Sequence, residues 1–213
     1  MTEPSELLVA TSNEGKVREL AQLFSDLPLR LRLLKEFDGI PEALETGATF
    51  AENAVLKATH YSARSGLLTL SDDSGLVVDA LGGRPGVYSA RYAGPQATYA
   101  ERMSRLLEEL ATTRDEERRA RFVCAIAVAD PSTGEVKTFD GVCEGCIAHA
   151  PRGTHGFGYD PLFVPEGRAL TFGELPDEIK RDISHRARAL AKAAAFLAER
   201  FNVHGLTSER TGL

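Results

Sequence analysis

Two adjacent carboxylates, Asp72 and Asp73, end an apolar run and are followed at once by Ser74 and Gly75 in LTLSDDSGLV, residues 68–77. Neighbouring like charges repel, and an apolar strand disfavours the ionised form of either. One reading is a plain Asp-Ser-Gly turn with Asp73 bonded to its own backbone. The other is a site in which a cation sits before the pair. The pattern predicts a strand that ends at the carboxylates, and open α/β sheets bind ligands outside the carboxyl ends of their strands. A divalent ion such as Mg²⁺ there would relieve the repulsion and favour both charged forms. Glu45, in LETG on the preceding loop, is the candidate second contributor.

Three further segments carry polar residues that secondary structure alone does not require. In TSNEGK, Thr11, Ser12, Asn13, Glu14, Gly15 and Lys16 lie between a strand and a helix. Backbone N–H groups at a helix start, with a lysine, suit a phosphate. The segment is not a G-x-x-x-x-G-K-[ST] loop, and Asn13 or Ser12 could simply cap the helix. In ENAVLKA, Asn53 and Lys57 are four apart and share a helix face, which faces either a phosphate chain or solvent. Near the C-terminus, GFGYDP places Phe157, Gly158, Tyr159 and Asp160 in a glycine-flanked aromatic loop, and KRDISHR places Lys180, His185 and Arg186 around Ser184, a plausible N-cap. Aromatic faces with nearby donors suit a nucleobase, although a lone histidine is more often structural.

The elements that must position these residues follow from periodicity. LLVA (7–10), LRLRLL (29–34) and LLTLS (67–71) read as strands, and a helical spacing starts at Val17. TFAE (49–52) and TYAE (98–101) are capping boxes, the first opening a helix to about Ser65. RFVCAIAVAD (121–130) and EVKTFDGVCEGCIA (135–148) are β-like around the turn DPSTGE. The last long helix is expected to follow Ser184, with Ile183, Ala187, Leu190, Ala194, Leu197 and Phe201 at steps of four and three, and residues 203–213 read as a frayed tail. The pattern predicts a mixed α/β fold.

The bulk numbers narrow the classes. The 213 residues suit one α/β domain. With 31 acidic against 25 basic residues the net charge is −6, which disfavours a general nucleic-acid binder. No apolar run approaches a membrane span and the start is a poor signal peptide, so a cytoplasmic protein is expected. Cys143 and Cys146 form a C-x-x-C with His149 beyond it, but no second pair completes a zinc site, and positions three apart in a strand point to opposite faces.

TSNEGK, FAENAVLKA, SDDSGLVVDALGGRPGVYSARYAG, GFGYDPLFVP and ISHR, in this order, resemble the motifs of the non-standard purine NTP pyrophosphatases, also called inosine triphosphate pyrophosphatases or XTP/dITP diphosphatases. The resemblance runs from about Leu7 to Phe201, with SDDSG for the commoner ADDSG and TSN for TGN. It implies an elongated α/β domain over 1–213, with two lobes around a central nucleotide cleft, usually in a homodimer. It implies Mg²⁺-dependent hydrolysis of ITP, dITP and XTP to monophosphate and pyrophosphate. Asp73 matches the catalytic base and a metal ligand, and Glu45 the other ligand. Thr11 to Lys16 and Ser74 would contact phosphates, with Lys57 assisting the leaving group, while Phe157 to Asp160, Lys180, His185 and Arg186 would hold the base. A Maf-like pyrophosphatase for other modified nucleotides and a non-catalytic nucleotide sensor are the alternatives.

Overall fold

The computed structural model describes residues 5–24 and 29–201, so the predicted tail at 203–213 lies outside the described residues. The strands are β1 (Ser5–Val9), β2 (Leu29–Leu33), β3 (Leu68–Val78), β4 (Arg119–Ala129), β5 (Val136–Ile147) and β6 (Phe163–Pro165). The helices are α1 (Glu14–Leu23), α2 (Phe50–Ser65), α3 (Tyr99–Glu109), α4 (Asp177–Ile183) and α5 (His185–Arg200). The strands form one mixed sheet in the order β2-β1-β3-β4-β5-β6. Both β2 and β3 run parallel to β1, whereas β5 and β6 are antiparallel. Among the described residues no helix is long and apolar enough to cross a membrane.

The chain forms two compact units. The first takes the described residues up to Asp73, Ala125–Asp140 and those from Arg188 onward. Leu7, Leu8 and Val9 are buried in β1, the middle of the three parallel strands. Because α1 connects β1 to one neighbour and α2 leads to the other, right-handed crossovers place these helices on opposite faces. Asn13 caps α1, its Oδ1 accepting from the Gly15 and Lys16 amides at 3.0 and 3.2 Å. The cap starts α1 at Glu14, three residues before the periodicity at Val17 predicts.

Helix α2 spans the predicted residues. Thr49 and Glu52 form the predicted capping box, and Gly66 ends the helix in the left-handed region at φ 70°. On its buried face Ala54 and Ala58 pack against Ala125, Ala127 and Ala129. Methyl groups on both sides let the helix backbone approach the sheet closely.

The second unit comprises Ser74–Cys124 and Gly141–Ala187. Leu76, Val78, Leu106, Leu110, Phe122 and Phe163 belong to its core. The capping box at Thr98 and Glu101 opens α3 as predicted, and Leu106 and Leu110 are completely buried. Gly145 of β5 pairs with Pro165 of β6, and a Cβ on Gly145 would meet the Phe163 ring at 2.7 Å. Strand β6 is three residues long and ends in proline, too short for periodicity to show.

Two expectations are corrected here. Strand β3 does not end at Ser71 but continues through Asp72, Asp73, Ser74 and Gly75 to Val78. There is no Asp-Ser-Gly turn, and the carboxylates lie within a strand rather than beyond its end. The closing helix α5 does follow Ser184 as expected, but Ile183 of its periodic set ends α4, and Ser184 is extended between the two helices. Ser184 Oγ accepts from the Ala187 amide at 3.2 Å, so it does cap α5.

Candidate active site

Alternation along β3 sends Asp72 and Asp73 to opposite faces of the sheet. On one face, Lys16 of α1 lies 2.8 Å from Asp72 Oδ2. On the other, Ser71 Oγ donates to the Ala54 carbonyl of α2 at 2.6 Å, and two residues on Asp73 meets Asn53 and Lys57 of the same helix. Asn53 and Lys57 therefore do share a face, and it is turned to the sheet rather than to solvent.

Asn53 works in two directions. Its Nδ2 donates to Asp73 Oδ2 at 3.1 Å, and its Oδ1 accepts from the Gly47 amide at 2.8 Å. The amide thus ties the loop that carries Glu45 to the strand that carries Asp73. Gly47 has no room for a side chain: an added Cβ would lie 2.6 Å from Glu52 Cβ and 2.8 Å from Asn53 Oδ1. Lys57 Nζ completes the arrangement, 2.6 Å from Glu45 Oε1 and 3.6 Å from Asp73 Oδ1.

The electrostatics follow from burial. Asp73 is 8% exposed, and desolvation, the largest influence, raises its pKa above the usual aspartate value. Lys57 opposes that rise, Glu45 adds to it, and Asn53 and Lys16 pull it back. For Lys57, burial alone would lower the pKa, but the combined fields of Asp73, Asp72 and Glu45 outweigh it and the net shift is upward. The ammonium is therefore firmly charged in this setting.

Glu45 and Asp73 are brought to a shared cation, and the chemistry of this donor set fits Mg²⁺. That ion is usually bound through one or two carboxylates, with waters and substrate phosphates completing the octahedron. Among the described residues no group of three or more histidine, cysteine or acidic side chains gathers as an all-protein metal cage. Cys143 is buried in the core of the second unit, and His149 Nε2 pairs instead with Asp115 Oδ1 at 2.6 Å.

The aromatic loop is held in the second unit. Asp160, 2% exposed, accepts from the Phe157 amide and from Lys180 Nζ, both at 2.7 Å at Oδ2. Lys180 Nζ also lies 4.7 Å from the centre of the Phe157 ring, and the Arg186 guanidinium lies 5.5 Å from it. Two cations attend one aromatic ring, each attracted to its π-face. Arg186 Nη2 donates to Ser74 Oγ at 3.1 Å, so the two predicted site residues are brought together. His185 stacks on Phe122, with centroids 4.8 Å apart and rings inclined by 13°. Tyr159 is buried, its hydroxyl donating to the Ser89 carbonyl at 3.0 Å, and burial holds its pKa well above the usual phenol value.

The Ham1 family profile matches residues 7–196. A dITP/XTP pyrophosphatase of Geobacillus kaustophilus is 52% identical over 187 residues, covering 88% of this chain and 91% of the relative. The chain belongs to the Ham1 family. A dITP/XTP pyrophosphatase of Geobacter sulfurreducens is 51% identical over 185 residues, covering 87% of this chain and 92% of its own. The HAM1 protein of Coxiella burnetii has a similar structure, with a TM-score of 0.85, 42% identity, and 92% and 99% of the two chains covered. A nucleoside-triphosphatase, dITP/XTP pyrophosphatase, of Mycobacterium abscessus gives a TM-score of 0.75 at 42% identity, covering 88% and 98%. The Ham1 match favours the purine-type reading over the Maf-like alternative.

Sequence reasoning missed some contributors to this Ham1 site. Asn53 was visible as a face-mate of Lys57, but not as the link to Gly47. Phe122, the stacking partner of His185, carries no local signal in the sequence, because stacking across elements leaves none.

Proposed function

We propose that this chain hydrolyses non-standard purine nucleoside triphosphates, namely ITP, dITP and XTP, to the monophosphate and pyrophosphate. The observation that carries the reading is the cluster of Glu45, Lys57 and the buried Asp73, tied together through Asn53. A sensor has no need of two carboxylates and a lysine fixed by a dedicated amide, whereas a hydrolase does. The names of the relatives support the same substrate class.

In this reading Asp73 orients a water for attack on the α-phosphorus and accepts its proton; the raised pKa suits a general base. Glu45 and Asp73 hold Mg²⁺, which when bound lowers the pKa of water and neutralises phosphate charge. Thr11, Ser12, Asn13, Glu14, Gly15 and Lys16, at the start of α1, face the phosphates with backbone N–H groups and an ammonium. Lys57 stabilises charge on the leaving pyrophosphate. Ser74 is assigned to the phosphates as well, its hydroxyl fixed by Arg186.

The base is recognised by Phe157, Gly158, Tyr159, Asp160, Lys180, His185 and Arg186. Hypoxanthine and xanthine carry a 6-oxo acceptor where adenine carries a donor, so a buried donor here pairs with the first two and is left unsatisfied by the third. We place the reaction in a cytoplasmic homodimer in which residues 1–213 act as one enzyme domain; sedimentation velocity tests the dimer.

The deciding experiment is pyrophosphate release from dITP, XTP, dGTP and dATP, with Mg²⁺ and with EDTA. The reading expects rapid, metal-dependent turnover of dITP and XTP alone. Tight dITP binding without pyrophosphate release would establish a sensor instead.

A further inference from the structure

Lys16 and Lys57 place ammonium groups beside the carboxylates Glu45, Asp72 and Asp73. The two lysines are not equivalent. Lys16 pairs with Asp72, on the face of β3 away from Glu45. Lys57 pairs with both residues that form the carboxylate pair suited to a divalent ion, with its side chain 12% exposed. We propose that Lys57 is a resident substitute for the metal: its ammonium holds Glu45 and Asp73 in the metal-free protein and gives them up when the divalent ion binds.

The proposal rests on the pyrophosphatase reading for the identity of the ion, but its argument is local. Two carboxylates that share one ammonium would repel each other without it, so a cation between them stabilises the metal-free site. Lys57 supplies it at 2.6 Å from Glu45. An ammonium on a four-carbon stem is a compact charge that can swing while its Cα stays fixed in α2. The metal donors do not depend on Lys57 for their placement. Asn53 holds Asp73 directly and the Glu45 loop through Gly47, so the pair stays preset when the lysine leaves.

The consequence is competition. Lys57 and a divalent ion share the same oxygens, so each weakens the other's hold by the same factor. Metal alone then binds weakly, and metal delivered with a polyphosphate binds better, because the phosphates give the displaced ammonium a new partner. Lys57 therefore couples metal binding to nucleotide binding.

The test is Mn²⁺ binding by the nucleotide-free protein, followed by electron paramagnetic resonance. Lys57→Met is expected to bind Mn²⁺ more tightly than the wild type, by at least about fivefold, within the usual range of coupling between two sites. Adding Glu45→Gln to that variant should abolish the gain. Equal or weaker Mn²⁺ binding by a folded Lys57→Met protein would overturn the proposal. Should that variant not fold, the wild type decides: the Lys57 side-chain ¹⁵N signal must shift on saturation with Mg²⁺ alone, and an unchanged signal at saturation overturns the idea. Neither readout involves turnover, so a failure of the pyrophosphatase reading would appear separately, as absent pyrophosphate release.

Discussion

Asp72 and Asp73 are neighbours in β3 and serve opposite faces of the sheet: Lys16 of α1 holds the first at 2.8 Å, and Asn53 of α2 donates to the second at 3.1 Å. Each aspartate therefore has a lysine-bearing helix of its own beside it. This follows from a strand whose two faces each meet a helix carrying a lysine, and alternation separates the charges that sequence places side by side.

Asn53 gives the first prediction. Replacing it with alanine leaves the Gly47 amide and an Asp73 oxygen without the partners they now have. Each buried group left unsatisfied costs about 1–3 kcal/mol. Asn53→Ala should lower the urea midpoint clearly and reduce metal-dependent activity more than its stability loss explains. A variant with wild-type stability and activity would show that the amide is dispensable.

Gly156 gives the second. Its φ is +71°, and an added Cβ would collide with the Asp160 carboxylate that holds Phe157 and Lys180. Gly156→Ala combines left-handed strain, about 1–3 kcal/mol, with displacement of Asp160. The expected result is a lower melting temperature and a raised KM for dITP. An unchanged KM would separate the Asp160 anchor from base recognition.

Asp130 gives the third, through pH. Its carboxylate accepts from the Ser132 hydroxyl and amide at 2.7 and 2.8 Å and pairs with Arg200, and its pKa is held down to about 2, the Ser132 bonds being the leading cause. A depressed carboxylate pKa contributes stability above its unfolded value, near 3.8, and loses it as pH falls toward the folded value. Asp130→Ala should therefore be most destabilising near neutral pH, with the gap to wild type narrowing from about pH 4 toward pH 2. Urea melts across that range check the trend; a pH-independent gap would contradict it.

How much of this was legible in the sequence depends on whether the signal was local. The capping boxes at Thr49 and Thr98, the cap at Ser184 and the shared face of Asn53 and Lys57 are written within four residues, and the structure keeps them. The local pattern ends β3 at Ser71 because a pair of aspartates is ordinarily a poor strand segment, whereas the strand runs to Val78. Here Lys16 and Lys57, distant in sequence, supply the charges that let the strand continue, so tertiary contact overrides local propensity. The stacking of His185 on Phe122 was illegible for the same reason. The identity of the family, by contrast, was carried by long ordered motifs, and the Ham1 match from residue 7 to 196 agrees with it.

The central claim is that Asp73 activates water in a metal-dependent pyrophosphohydrolase. Its most direct test is steady-state pyrophosphate release from dITP in Mg²⁺ by the wild type and by Asp73→Asn, with folding checked by circular dichroism. The account predicts a fall in kcat of at least about 10²-fold, the scale of a general-base contribution. Turnover near the wild-type rate in the folded variant would contradict it and remove Asp73 from the role.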